Sequence, residues 1–158
     1  MFRKLRRVNQ EVSREKCIEI LKNEPRGVLS VYGMDGYPYG FPMDYFYDEK
    51  VDKIYFHCAK KGHKMDSLKE NNKVSFCVYD KGFKKENDWA LNITSVIIFG
   101  KIEFVDDVNK KIDIARSIGM KYSPSVEYVE NDIKKLIDVV QILELSIDYM
   151  TGKLVNES

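Results

Sequence analysis

The chain has 158 residues, 44% hydrophobic and 32% charged, which fits one folded domain over 1–158 rather than a disordered chain. The formal net charge is +1, so no broad field draws it to nucleic acid or to an anionic membrane, and neither is expected as a partner. No apolar run approaches the roughly 18 residues that span a bilayer, and no apolar stretch follows the basic end MFRKLRRV as it would in a signal peptide; a cytoplasmic protein with a solvated basic tail is expected. Cys17, Cys58 and Cys77 are odd in number and lack C-x-x-C spacing, which argues against a disulfide framework. Cys17 and Cys77 lie in apolar patterns and are expected to be buried.

In chain order, residues 13–23 (SREKCIEILKN) have the spacing of a short amphipathic helix, with Ser13 as its cap, an apolar stripe of Cys17, Ile18 and Leu21, and Pro25 beyond its end. Residues 27–32 then alternate as a strand and end in the tight turn GMDG. Residues 37–47 (YPYGFPMDYFY) are extended and aromatic; their prolines and glycine predict an edge or bulged strand. A third strand is expected over 53–58, a short helix over 64–71, and a fourth strand over 73–79. After a polar loop, residues 93–105 form a long strand with a bulge or bend at Gly100. Helices are expected over 107–120, with Ile112, Ala115 and Ile118 on one side, and over 126–137. A last strand covers 139–147. Six strands joined mainly by short turns predict an antiparallel sheet, and closing it into a small barrel removes its exposed edges.

Residues 55–64 (YFHCAKKGHK) gather both histidines of the chain, a cysteine and three of its lysines around one glycine. A metal site is weakly supported. His57 and Cys58 point to opposite faces of a strand, and no third soft ligand stands at a zinc spacing. A reactive Cys58 lacks a base or a resolving cysteine. An anion site fits more of the residues. A strand ends, lysines follow, Gly62 permits an unusual φ, and a helix begins whose free N–H groups and Lys64 can face a phosphate. The competing explanation is a solvated basic loop.

The same segment resembles the H-x-A-x-x-G-x-K stretch of the pyridoxamine 5′-phosphate oxidase-like, flavin-binding split-barrel proteins, and most nearly their nitroimidazole-resistance branch. Y37-P-Y-G-F-P-M-D-Y45 is similar to that branch's Y-P-x-x-x-P-x-N-Y strand, T94-S-V-I-I-F-G100 to its S-V-x-x-x-G strand, and the terminal T151-G-K153 to its I-T-G-K. The four stretches occur in the family's order across almost the whole chain. The resemblance implies a mainly β, six-stranded antiparallel split β-barrel of the FMN-binding type that forms a homodimer with FMN at the interface. Carried over, Pro42, Met43, Asp44 and Tyr45 would border the flavin ring. His57, Cys58, Ala59 and Lys60 would run beside the ring and ribityl chain, and Gly62, His63 and Lys64 would face the phosphate. Ser95, Val96 and Ile97 would approach from the neighbouring subunit or the facing strand, and Thr151–Lys153 would close one side.

Two departures from the pattern stand out. Asp44 replaces the usual Asn, and a carboxylate there disfavours an anionic reduced flavin unless it is paired. Ile93–Thr94 replace a Trp–Arg pair, with Trp89 as a candidate replacement wall. The activity implied is that of an FMN-dependent oxidoreductase, with NADH, NADPH or another donor reducing the flavin and a small acceptor such as a nitroaromatic receiving the electrons. No general acid is selected by the sequence. The alternatives are a non-catalytic flavin-binding or sensing protein, a haem-binding split-barrel relative with His57 or His63 on iron, and a small interaction domain with no cofactor.

Overall fold

The computed structural model describes residues 1–155. The single-domain expectation over 1–158 therefore includes three terminal residues that lie outside the described ones. The strands are β1 (Glu11–Val12), β2 (Arg26–Tyr32), β3 (Pro38–Asp44), β4 (Phe46–Asp48), β5 (Lys53–Ala59), β6 (Lys73–Tyr79), β7 (Ile93–Val105) and β8 (Val140–Val155). The helices are α1 (Arg14–Asn23), α2 (His63–Glu70), α3 (Val108–Tyr122) and α4 (Val126–Leu136). No described helix is long and apolar enough to cross a membrane.

All strand pairs are antiparallel, in the order β3-β2-β6-β7-β8-β5-β4, with β1 on β8. The chain passes from β3 at one edge to β4 at the other through Tyr45 alone. The two edges are thus tied together, and the sheet curls into a split β-barrel. The fold is mainly β as expected, but the described residues form eight strands rather than six. The expected strand over 37–47 splits at Tyr45 into β3 and β4, and Glu11–Val12 adds a pairing opposite Lys153 and Gly152. The last strand also runs on to Val155, because β7 pairs with it along its whole length.

Inside the barrel, Leu29, Tyr45, Phe56, Phe76, Ile98 and Leu143 pack in one continuous core. Phe76 makes edge contacts with both Tyr45 and Phe56, at ring-centroid separations of 5.1 and 5.0 Å. The expected irregularity at Gly100 is a register shift between Phe99 and Gly100. A Cβ at Gly100 would stand 2.2 Å from the Ser146 carbonyl oxygen, so the long hairpin cannot close there with any larger residue. Ser13 caps α1 by accepting from the Lys16 N–H at 3.2 Å.

A second, smaller core holds α3 against the outer face of the sheet through Tyr55, Val105, Ile114, Ile118 and Ile142. The face of α3 is rotated from the expected Ile112–Ala115–Ile118 stripe. Lys111 is buried in it because its stem lies on the apolar surface while its ammonium donates to the Ile137 carbonyl at 3.1 Å. The start of α3 is pinned by Glu144, which is 2% exposed and receives Lys110 at 2.6 Å and Lys53. Burial pushes the Glu144 carboxyl up, but hydrogen bonds and charge from the two lysines outweigh it and hold the group below its ordinary value. Cys17 is buried as expected, whereas Cys77 faces outward on β6 and is only half-buried. The basic residues of the N-terminal arm are exposed, but the arm is not wholly free, because Phe2 stacks on Tyr149 at 4.8 Å.

A candidate cofactor site at the end of strand β5

Alternation along β5 sends Ile54, Phe56 and Cys58 into the barrel and leaves His57 and Ala59 outside. The chain then leaves the sheet. Lys60, Lys61, Gly62 and His63 are exposed, and α2 begins at once. Gly62 caps α2 with φ +120° and ψ 173°, and a Cβ there would meet nothing within 4 Å. The backbone conformation, not lack of space, requires glycine at this point. The Gly62 carbonyl accepts from the N–H groups of Met65 and Asp66 at 2.9 and 3.1 Å. The N–H groups of His63 and Lys64 precede any intrahelical acceptor and are open to an outside one.

The loop rests on β3. The Lys64 ammonium lies 3.8 Å from the Met43 sulfur and 4.7 Å from the centre of the Phe41 ring. The His63 ring stacks on Tyr39 at 4.4 Å, nearly parallel to it. Lys60 is turned away and donates to the Asp138 carbonyl. Cys58 is buried with its sulfur 3.6 Å from that of Met65. Burial pushes its thiol up against the opposing charge of Lys64, which leaves it a packing group rather than a nucleophile.

On β3, Pro42 is exposed, Met43 is buried and Asp44 is half-buried. Asp44 pairs with Arg26 across the β2–β3 ladder, Oδ1 to Nε at 2.6 Å. The departure from Asn thus comes with its own countercharge. Tyr45 is fully buried, and among the described residues its hydroxyl has no hydrogen-bond partner. Its backbone lies outside both ladders and is served by the last turn of α3. The Tyr45 N–H donates to the Tyr122 hydroxyl at 2.8 Å, and the Tyr45 carbonyl accepts from the Lys121 ammonium at 3.0 Å. The Tyr122 hydroxyl lies 2.5 Å from the Pro25 carbonyl, and Lys121 also donates to the Glu24 carbonyl at 2.8 Å. Its ammonium sits 3.6 Å over the Tyr45 ring. Burial pulls the Lys121 ammonium down to about 8 against the opposing charges of Asp44 and Glu24.

Ser95, Val96 and Ile97 are elsewhere. They pair with Tyr79, Val78 and Cys77 on one side and with Lys153, Gly152 and Thr151 on the other. The two terminal motif stretches therefore lie side by side. Val96 points into the core and can offer only its backbone, while Ser95 and Ile97 are half-exposed on the outer face. Ala59 pairs with Val140 at the start of β8, and Ser95 pairs with Lys153 near its end. Among the described residues no hydrogen bond, ion pair or ring contact joins 95–97 to the 57–64 stretch. Trp89 is 71% exposed on the loop before β7.

His57 and Asp44 both line a cavity of about 290 Å³ whose other walls come mainly from α3 and α4. Arg26, Tyr39, Phe41, Lys121 and Tyr122 were not indicated by the sequence as parts of this region. Tyr39 and Phe41 carried a usable signal, since they share the face of β3 that holds Met43. Among the described residues no three metal-ligating side chains gather.

The family model described as pyridoxamine 5′-phosphate oxidase matches residues 13–154. The chain belongs to that family. No curated protein matches it. Solved structures with the same fold include a proposed 5-nitroimidazole antibiotic resistance protein of Bacteroides thetaiotaomicron, 23% identical, with 91% of this chain and 86% of that one covered and a TM-score of 0.74. An FAD-binding protein of Mesorhizobium loti is 18% identical over 93% of this chain and 98% of that one, with a TM-score of 0.64. An FAD- and haem-binding protein of Mycobacterium smegmatis is 19% identical over 94% of this chain and 74% of that one, with a TM-score of 0.72. Motifs weak one by one thus led to the right family because they are spread over the chain in its order.

Proposed function

We propose that the chain is an FMN-dependent oxidoreductase that works as a homodimer. The observation that carries this is the 60–64 loop, where a glycine at positive φ opens a helix whose first N–H groups lack an intrahelical acceptor and stand next to the half-buried Lys64. A phosphate fits it, since the donors are open and no side chain occupies the space beside Gly62. The FAD-binding relatives in the same fold lend support to a flavin. When bound, the flavin supplies electron transfer between NADH, NADPH or another donor and a small acceptor such as a nitroaromatic. Lys64 neutralises the phosphate, braced against Met43 and Phe41. The backbone of Pro42–Tyr45 and the outward His57 border the ring, and Met43, Tyr45 and Cys58 act from beneath as packing. Arg26 limits the field that Asp44 casts on the ring.

Ser95 and Ile97 enter the site from a second copy. The outer face that carries them also carries Tyr79 and Phe99, both exposed, which suits an interface between copies. The test is the visible spectrum of purified protein with and without Lys64→Ala, the identity of the flavin released on denaturation, and NADH or NADPH oxidation with a nitroaromatic acceptor. Flavin absorption that weakens in the variant, FMN as the released species, acceptor-dependent turnover and a dimer by light scattering are expected. A colourless protein that takes up neither FMN nor FAD would overturn the proposal. A Soret band in place of flavin absorption would redirect it to haem.

A further inference from the structure

Helices α3 and α4 form a hairpin over the outer face of β5 and β8. It is clasped at one point by Arg116, whose guanidinium takes both oxygens of Glu130, and by Gly119, where a Cβ would come within 2.7 Å of Val129. Beyond this clasp the helices stand off from the sheet and leave the cavity of about 290 Å³. Its walls are mostly aliphatic, with Ile118, Val129, Ile133 and Ile142 among them, and Tyr122 and Tyr128 add two aromatic side chains. Of the α4 residues only Val129 is buried, although the helix is strongly two-faced, so its apolar side meets empty space instead of the core. Apolar walls without facing atoms forfeit their dispersion contacts, and a ligand of matching size restores them.

Polar groups converge on the same space. Asp44, His57, Ser123 and Asp132 all line it. Asp44 has Arg26 as its partner. Among the described residues Asp132 has no hydrogen bond or ion pair, and neither lysine nor arginine lines the cavity. Asp132 therefore favours a positive group in its own part of the cavity, while the rest of the apolar wall suits an uncharged one. The volume lies just below the usual range for drug-sized ligands, which limits the occupant to one or two rings.

We propose that this cavity binds an uncharged or cationic compound of one or two aromatic rings and holds it against His57. The flavin proposal bears only on what happens next, since it places the ligand beside the ring edge; binding itself does not need the flavin. Calorimetric titration of the purified protein with benzylamine, benzyl alcohol and benzoate tests this. These probes share one ring and differ in charge. Saturable binding is expected in the order benzylamine, benzyl alcohol, benzoate. Ile133→Trp, which fills the cavity, should weaken all three by at least about tenfold. Asp132→Asn changes an exposed side chain and is not expected to disturb folding; it should erase the advantage of benzylamine over benzyl alcohol and leave the latter unchanged. No saturable binding, benzoate binding as tightly as benzylamine, or a folded Ile133→Trp protein that binds normally would each overturn the proposal. Flavin absorbance read on the same samples separates the two ideas. Flavin-loaded protein that binds no probe refutes the cavity alone, and colourless protein that binds benzylamine supports it without the flavin.

Discussion

Two neighbouring stretches of the candidate site are held in opposite ways. At the β3–β4 junction, Tyr45 is wholly buried, and both of its backbone polar groups are met by side chains from the end of α3. At the 60–64 loop, the side chains are mostly exposed and the backbone is fixed only by the first hydrogen bonds of α2 and by contact with β3. The contrast separates two tasks. The junction sets where β3 and β5 stand relative to each other, and the loop leaves the His63 and Lys64 N–H groups without an intrahelical acceptor, as the proposed phosphate site needs. A rigid frame beneath open donors is what holding an anion in one place requires.

The largest expected effect comes from removing the frame. Tyr122→Phe deletes one oxygen that accepts from the Tyr45 N–H and also reaches the Pro25 carbonyl. It leaves a buried N–H without a partner, at a cost of about 2 kcal/mol. For a domain of this size that is a fall of roughly 4–8 °C in Tm, readable by thermal unfolding. A fall under about 1 °C would show that the junction is held by packing alone and would dissolve the contrast.

Gly62→Ala acts on the other stretch and should divide its effect differently. Alanine at φ +120° is strained by about 1 kcal/mol or more, even though nothing stands beside it. The loop can relieve much of that strain by moving, because little holds it. Stability should therefore fall less than in Tyr122→Phe, while flavin affinity should fall by about tenfold or more as the N–H groups turn from the phosphate. Fluorescence titration with FMN, alongside thermal unfolding, gives both numbers. Normal flavin affinity in a folded Gly62→Ala protein would remove the loop from the cofactor site.

The same contrast marks what the sequence could disclose. The loop was legible because its signals are local: alternation ends at Ala59, lysines follow, and one glycine precedes a helix. The cap at Ser13 and the irregularity at Gly100 were legible for the same reason. The junction was not. Tyr45 lies in an extended aromatic run, and the groups that break the run at this point belong to Lys121 and Tyr122, more than seventy residues later in the chain. Periodicity also misplaced the face of α3, because a lysine with a long stem counts as polar in a pattern yet lies buried on Ile137. The end of β8 was missed because residues 148–153 have a turn-like composition, and only their pairing with β7 and β1 makes them a strand. The outward departure Asp44 raised a question of charge that only the cross-strand partner Arg26 answers.

The smallest expected effect is a change of stability with pH. Lys121 holds the Tyr45 carbonyl from a site where burial brings its ammonium down to about 8, against an ordinary 10.5. Between these two values the unfolded chain binds more protons at this position than the folded one. Its contribution to stability therefore rises as pH goes from 8 toward 10.5, and is lost again as pH falls through 8. The size is under about 1 kcal/mol, since the group is partly in reach of water and the Tyr45 ring and two carbonyls favour its charged form. Tyrosines ionise toward the top of this window, so the quantity to follow is the difference in Tm between the protein and Lys121→Met, measured from pH 7 to 10. The difference should move in favour of the lysine protein above pH 8. A difference that stays constant would mean that the ring and the carbonyls cancel the effect of burial, and that the junction is clamped by an ordinary ammonium throughout.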